Sequence, residues 1–152
     1  MSYRDYAQDI VIPALLRSAR LTYSQSVRDS LSSAGFEDMP KNGPYILGGM
    51  ANQGGELEGL IRGLGVTKQA ASQLIDLLVI RGYLTREEHP EDRRRLLVQL
   101  TERGRAAAEA VAAGVGRVDD ELATMLSEEE IATMRVGLAA LCDIRELLTA
   151  DH

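Results

Sequence analysis

The chain has no tryptophan, one phenylalanine and five tyrosines among its 152 residues. A core must therefore be filled by Leu, Ile, Val, Ala and Met, and at 45% apolar residues there are enough of them for one folded domain. A single cysteine, Cys142, excludes an intramolecular disulfide and a cysteine-rich zinc site. It fits a reducing compartment. Beside Leu141 in an apolar helical stretch, Cys142 reads as buried packing. The two histidines, His89 and His152, stand far apart and outside any carboxylate grouping at ligand spacing, so no metal site is expected. No run of ~18 apolar residues occurs, which predicts no membrane span. The opening residues Met1 to Tyr6 lack the basic start and apolar run of a secretory leader, which predicts a cytoplasmic protein. Also missing are a Gly-rich phosphate loop and a nucleophile elbow. Glu128-Glu129-Glu130 read as charge complementing a helix N-terminus. The expectation is a protein without catalytic residues or cofactors.

Positive charge is scarce overall, giving a formal net charge of −6, but it is unevenly placed. Residues 62–105 carry nine Lys/Arg against six Asp/Glu, a local +3, while the remainder carries eight against seventeen, or −9. A basic centre between acidic flanks suits an anionic partner, although a solvated charge run gives the same count.

What is present is mostly helical periodicity. A first helix is expected from Asp9 to Ser33, N-capped by Asp9, with Pro13 in its first turn and Gly35 as its stop. Its stripe is Ile10, Leu16, Ala19, Tyr23, Val27 and Leu31. A second helix spans Pro44 to Asn52, closed by Gly54-Gly55, and a third Glu56 to Gly63. After the turn at Gly65-Val66, Thr67 caps a helix from Lys68 to Arg81. Ala71, Leu74, Ile75 and Leu78 face inward on it, and Gln69, Ser72, Gln73 and Asp76 outward, with Asp76 meeting solvent or a cation. Gly82 is a left-handed C-cap.

The stretch that follows is extended to His89, turns at Pro90-Glu91-Asp92-Arg93, and returns through Leu96 to Thr101 with alternating polarity. A helix-turn-helix followed by a hairpin with a basic tip predicts a winged helix-turn-helix, mainly α with a small β-hairpin wing, an α+β chain. Thr101 then caps a long helix from Glu102 to about Met125, with Val111, Val115, Val118, Leu122 and Met125 as its stripe. Ser127 and Glu130 form a capping box for a last helix showing Ile131, Met134, Leu138, Leu141 and Leu148. Apolar stripes outside a compact winged helix either cap the same core or form a homodimer, and the length left over favours the dimer. The expected organisation is a single domain over 1–152, with a DNA-binding region at 40–104 and helical dimerisation regions at 1–36 and 105–152.

Asp92, Arg94, Val98, Leu100, Thr101 and Gly104 together resemble the wing pattern Asp-x-Arg-x-x-x-hydrophobic-x-Leu-Thr-x-x-Gly of the MarR family (multiple-antibiotic-resistance regulators). Leu64 to Leu74 resembles that family's turn and recognition helix, and Arg81-Gly82-Tyr83-Leu84 its exit into the wing. The resemblance implies a bacterial transcription factor. It also implies a small aromatic or anionic effector held between dimer helices and winged domain. Arg17, Tyr23 and Tyr45 are candidate lining residues, with ordinary core or surface packing as the competing reading.

From chemistry, Gln69 and Gln73 suit paired hydrogen bonds to adenine in a major groove. Thr67 and Ser72 suit phosphate, and Lys68 phosphate or guanine. Arg94 suits a minor groove, with Asp92 holding its guanidinium, while Arg93 and Arg95 track phosphates. A dimer would set two recognition helices roughly 34 Å apart, which predicts a palindromic operator in double-stranded DNA; the resemblance implies a repressor released by its effector. The alternative is a winged-helix protein-interaction module without DNA binding.

Overall fold

In the computed structural model, residues 2–53, 57–94 and 96–150 are described. The chain divides into two compact units, Met1–Gly116 and Arg117–His152.

The first unit opens with a single-turn helix, α1 (Tyr3–Tyr6), closed by a capping box in which Ser2 and Asp5 exchange hydrogen bonds. The long helix α2 runs from Ile12 to Ser33, three residues later than the expected cap at Asp9. Asp9 instead closes the turn after α1, donating its backbone N–H to the Tyr6 carbonyl at 3.1 Å. Pro13 accounts for the later start, because a proline fits only the first turn and Val11 becomes the N-cap. Gly35 ends the helix at φ +86°, as its position implied. Helix α3 (Gly43–Gln53), α4 (Leu57–Leu64) and α5 (Lys68–Ile80) follow within a residue or two of their expected bounds. The expected stop at Gly54-Gly55 and the start at Glu56 lie outside the described residues.

Strands β1 (Leu84–Glu88) and β2 (Leu96–Leu100) pair antiparallel, with Leu84 opposite Leu100 and Glu88 opposite Leu96. Helix α6 (Glu102–Met125) starts under the Thr101 hydroxyl, which accepts from the Gly104 N–H at 2.9 Å.

The core joins Val27 and Leu31 of α2, Ile46 and Leu47 of α3, Leu60 of α4, Ile75 and Leu78 of α5, and Tyr83 and Leu84 at the start of the wing. Val98 and Leu100 pack half-buried against its edge, on the face of β2 that its alternation pointed inward. Helix α6 buries its expected stripe only in part, at Val111 and, half-buried, at Val115. Its buried face is Gly104, Ala107, Ala108, Ala110, Val111 and Gly114, while Met125 is exposed. Small residues are required because α2 approaches to backbone contact. A Cβ on Gly114 would sit 2.7 Å from the Val27 Cα. Two serines of α2 stitch the contact: Ser26 Oγ donates to the Gly114 carbonyl (2.7 Å) and Ser30 Oγ to that of Ala110 (2.6 Å).

The second unit contains the last turns of α6 and helix α7 (Glu128–Ala150). The capping box between them is present: the Ser127 N–H donates to Glu130 Oε2 (2.9 Å) and the Glu130 N–H to Ser127 Oγ (3.2 Å). No described residue of α7 is buried. Cys142 is therefore exposed, contrary to its reading as core packing. The adjacent apolar Leu141 is itself 40% exposed, so the described residues leave that stripe uncovered.

Candidate nucleic-acid interface

The local sequence of α5 fixes which of its residues face outward. Gly65 takes φ +65° in the turn, and Thr67 then caps the helix by accepting the Ala70 N–H at 3.1 Å. Ala71, Ile75 and Leu78 are buried, which commits the opposite face to solvent. Lys68, Gln69, Ser72 and Gln73 all lie on that exposed face, at the N-terminal end where the helix dipole is positive. Thr67 is exposed too, and with its oxygen used as an acceptor its hydroxyl proton remains available to a phosphate.

The wing tip is ordered by side chains bonding to backbone. The Glu91 N–H donates to His89 Nδ1 (3.2 Å) and the Arg94 N–H to Asp92 Oδ1 (3.0 Å). Asp92 thus shapes the turn through the backbone of Arg94, a different contact from the guanidinium grip the sequence suggested. Arg93 and Arg94 are exposed at the tip, and Arg95 lies outside the described residues. Behind the tip, Arg86 of β1 meets Asp76 of α5 at 2.7 Å, the cation expected for that carboxylate. The pair ties the wing to the outer face of α5, and at half-exposed positions it orients more than it stabilises.

At the wing root, Gly82 takes φ +78°, and its N–H and that of Tyr83 return to the carbonyls of Val79 (3.0 Å) and Leu78 (2.9 Å). Thr101 Oγ1 donates across the hairpin base toward the carbonyls of Gly82 (2.5 Å) and Tyr83 (3.1 Å). A Cβ on Gly104 would lie 2.0 Å from the Tyr83 carbonyl oxygen, so this position admits only glycine without movement.

Beside this root stands a polar cluster that nothing in the sequence pattern marked. The Tyr83 hydroxyl donates to Asp38 Oδ1 in the loop between α2 and α3. Arg103 of α6 donates to the same carboxylate oxygen (2.9 Å), to the Tyr83 hydroxyl (3.0 Å) and, through Nε, to the Arg81 carbonyl (3.2 Å). The Tyr83 hydrogen bond, helped by Arg103 and Arg81, holds the Asp38 carboxyl below the ordinary carboxylate range despite some burial. Burial, and then the bond to Asp38, pushes the Tyr83 phenol up to about 12.

The effector candidates are dispersed by comparison. Arg17 is exposed on α2 and Tyr23 half-buried on the same helix. Six residues turn a helix by about 240 degrees, so the two point to different faces. Tyr45 stands on α3 with its hydroxyl against Gly63 of α4, where a Cβ would lie 2.2 Å from it.

Residues 57–95 match the model of the MarR family. No curated protein matches the chain in sequence. Among solved structures, the chain is similar to MepR of S. aureus, determined as a DNA complex, at 23% identity and a TM-score of 0.69, covering 88% of this chain and 98% of that one. It is similar to FabT of Streptococcus pneumoniae in complex with DNA at 23% identity and a TM-score of 0.72, covering 90% and 96%. CouR from Rhodococcus jostii RHA1, bound to p-coumaroyl-CoA, matches at 23% identity and a TM-score of 0.70, covering 86% and 90%.

Proposed function

We propose that this chain, a MarR-family winged helix by its fold and by the match over residues 57–95, is a DNA-binding transcriptional regulator that reads duplex DNA with α5 and its wing. The observation that carries the reading is the arrangement of one reading head. Lys68, Gln69, Ser72 and Gln73 line the exposed start of α5, and Arg93 and Arg94 lie at the tip of a hairpin tied back to that helix by Arg86 and Asp76. In this reading Gln69 and Gln73 address base edges in a major groove, Thr67, Lys68 and Ser72 the flanking phosphates, and Arg94 the adjacent minor groove. Asp92 sets the backbone from which Arg94 reaches. Arg93 and Arg95 track phosphates.

The chain acts as a homodimer through its terminal helical stretches, 1–36 and 105–152, on a palindromic operator, and represses until a small aromatic or anionic effector releases it. Exposed apolar residues support the dimer: Val11 and Ile12 near the start of α2, and Val136, Ile144, Leu147 and Leu148 on α7. Dimeric winged helices place two α5 helices about one turn of DNA apart. DNA and an aromatic acyl thioester in the solved structures of similar proteins support the two ligand classes.

Selection of bound sequences from random duplex DNA, followed by salt titration, tests this reading. An inverted repeat and a steep fall of affinity with salt are expected. Arg94→Ala should weaken binding at moderate salt by about ten-fold with the fold intact, and Gln69→Ala or Gln73→Ala should change the preferred sequence as well as the affinity. Failure to select any sequence, with salt-insensitive association, would favour a protein-binding module instead.

A further inference from the structure

Arg103 is joined to more separate elements than any other side chain described at the wing root. Its guanidinium lies over the ring of Tyr83, 4.5 Å from the centroid, and near that of Phe36, at 5.4 Å. It donates to the Asp38 carboxylate and to the Tyr83 hydroxyl, and its Nε reaches the carbonyl of Arg81. Arg81 is the C-cap of α5, and its own guanidinium donates to the Asp38 backbone carbonyl. One residue of α6 therefore holds the end of α5, the first residue of the wing and the loop before α3.

The chain between α5 and β1 is only Arg81, Gly82 and Tyr83. The angle between recognition helix and wing is set there, and Gly82, with its left-handed backbone, is the least restrained residue type for the position. Arg103 pins this link on both sides of the glycine, at the Arg81 carbonyl and at the Tyr83 ring and hydroxyl. Its charge also sits beside the C-terminal carbonyls of α5, where the helix dipole favours a cation. One terminal nitrogen is already paired with the Asp38 carboxylate at 2.9 Å, so part of that charge is answered within the chain.

We propose that Arg103 is a positioning residue for DNA recognition, acting with Asp38 to fix α5 and the wing as one rigid reading head. The role rests on the DNA-binding reading above. Arg103 touches no base and no phosphate in it. A lysine cannot replace it, because a single ammonium lacks the separate Nε–H and terminal N–H donors that reach the Arg81 carbonyl and the Asp38 carboxylate together.

The test uses the full chain and the duplex it selects from random DNA. Arg103→Ala, Arg103→Lys and Asp38→Asn should each weaken binding about ten-fold or more, while the slope of log affinity against log salt stays that of the wild type. Amide exchange should quicken at Gly82 and Tyr83. The double variant Arg103→Ala with Asp38→Asn should be little worse than either single one. A slope shallower by about one unit in Arg103→Ala makes Arg103 a phosphate contact and overturns the proposal. Full recovery by lysine, or wild-type affinity in Asp38→Asn, overturns it as well. If the wild-type chain selects no duplex, the DNA reading falls and takes this role with it. If the wild type selects a duplex that Arg103→Ala and Asp38→Asn bind as tightly as the wild type does, the role of Arg103 alone falls.

Discussion

At the scale of single residues, the wing root shows how a polar cluster can be both half-exposed and specific. Asp38 accepts from Tyr83 and Arg103 at once, and its carboxyl is held ionised below its usual range, chiefly by the Tyr83 hydroxyl. A carboxylate with a depressed folded pKa contributes stability that is present above its unfolded value, about 3.9, and is lost as pH falls through the folded value. Asp38→Asn should therefore be less stable than the wild type at neutral pH, and the gap should close below about pH 4. Urea unfolding of both chains from pH 7 to pH 3 measures it, and a gap constant across that range would rule the linkage out. Tyr83 acts in the opposite sense. Its raised value keeps the phenol neutral, so what it contributes is complete below the ordinary tyrosine pKa and is lost as pH rises through about 12. Neither titration falls near neutrality, so the cluster is a fixed clamp across the physiological range. None of this was legible in the sequence. Asp38 sits in a loop 45 residues before Tyr83, and Arg103 occupies an unspecified position of the wing pattern. The residues of that pattern itself were legible, because each serves a local need: Thr101 a cap, Gly104 a close approach to the Tyr83 carbonyl.

At the scale of elements, helix bounds followed from punctuation. Thr67, Gly82, Thr101 and Ser127 each start or stop a helix through a bond to a backbone group within a few residues, which is why short-range reading found them. The start of α2 went the other way, since Pro13 takes a first-turn position there and Val11 becomes the cap in place of Asp9. The pattern found the buried face of α6, at Val111 and Val115, but not the small residues that fill most of it. Valines at near-heptad spacing suggested a branched stripe, whereas contact with α2 demands glycine and alanine, and a demand for small side chains comes from the neighbouring helix. Gly114→Val should thus push α2 and α6 apart, breaking the serine bonds at Gly114 and Ala110, and destabilise the chain by about 1–3 kcal/mol or more in chemical denaturation. A variant as stable as the wild type would show that the two helices part without cost.

For the whole molecule, the balance of charge and apolar surface decides the behaviour. A chain of net charge −6 binds DNA only if its positive charge is gathered, and the exposed cations of α5 and the wing tip do this within one segment. Elsewhere, large apolar side chains stand uncovered, Val136 at 70% exposure and Leu147 at 68% among them. Such a surface is what the proposed dimer would cover. The expected outcome is a dimer in sedimentation velocity at micromolar concentration, with Val136→Glu combined with Leu147→Glu shifting it to monomer and reducing operator affinity about a hundred-fold or more through lost bivalency. A wild-type chain that sediments as a monomer at every concentration would remove both the dimer and the palindromic operator.

The sequence by itself determined the order and limits of most helices, the hairpin, and the outward face of α5. Those features depend on residues near one another in the chain, through caps, glycine backbone angles and the periodicity of apolar side chains. Tertiary structure alone decided that Asp38, Tyr83 and Arg103 meet, that Arg86 answers Asp76, that α6 packs through its small residues, and that Cys142 is exposed. In each case the outcome turns on contacts with other elements, made or missing among the described residues, and no local spacing encodes them.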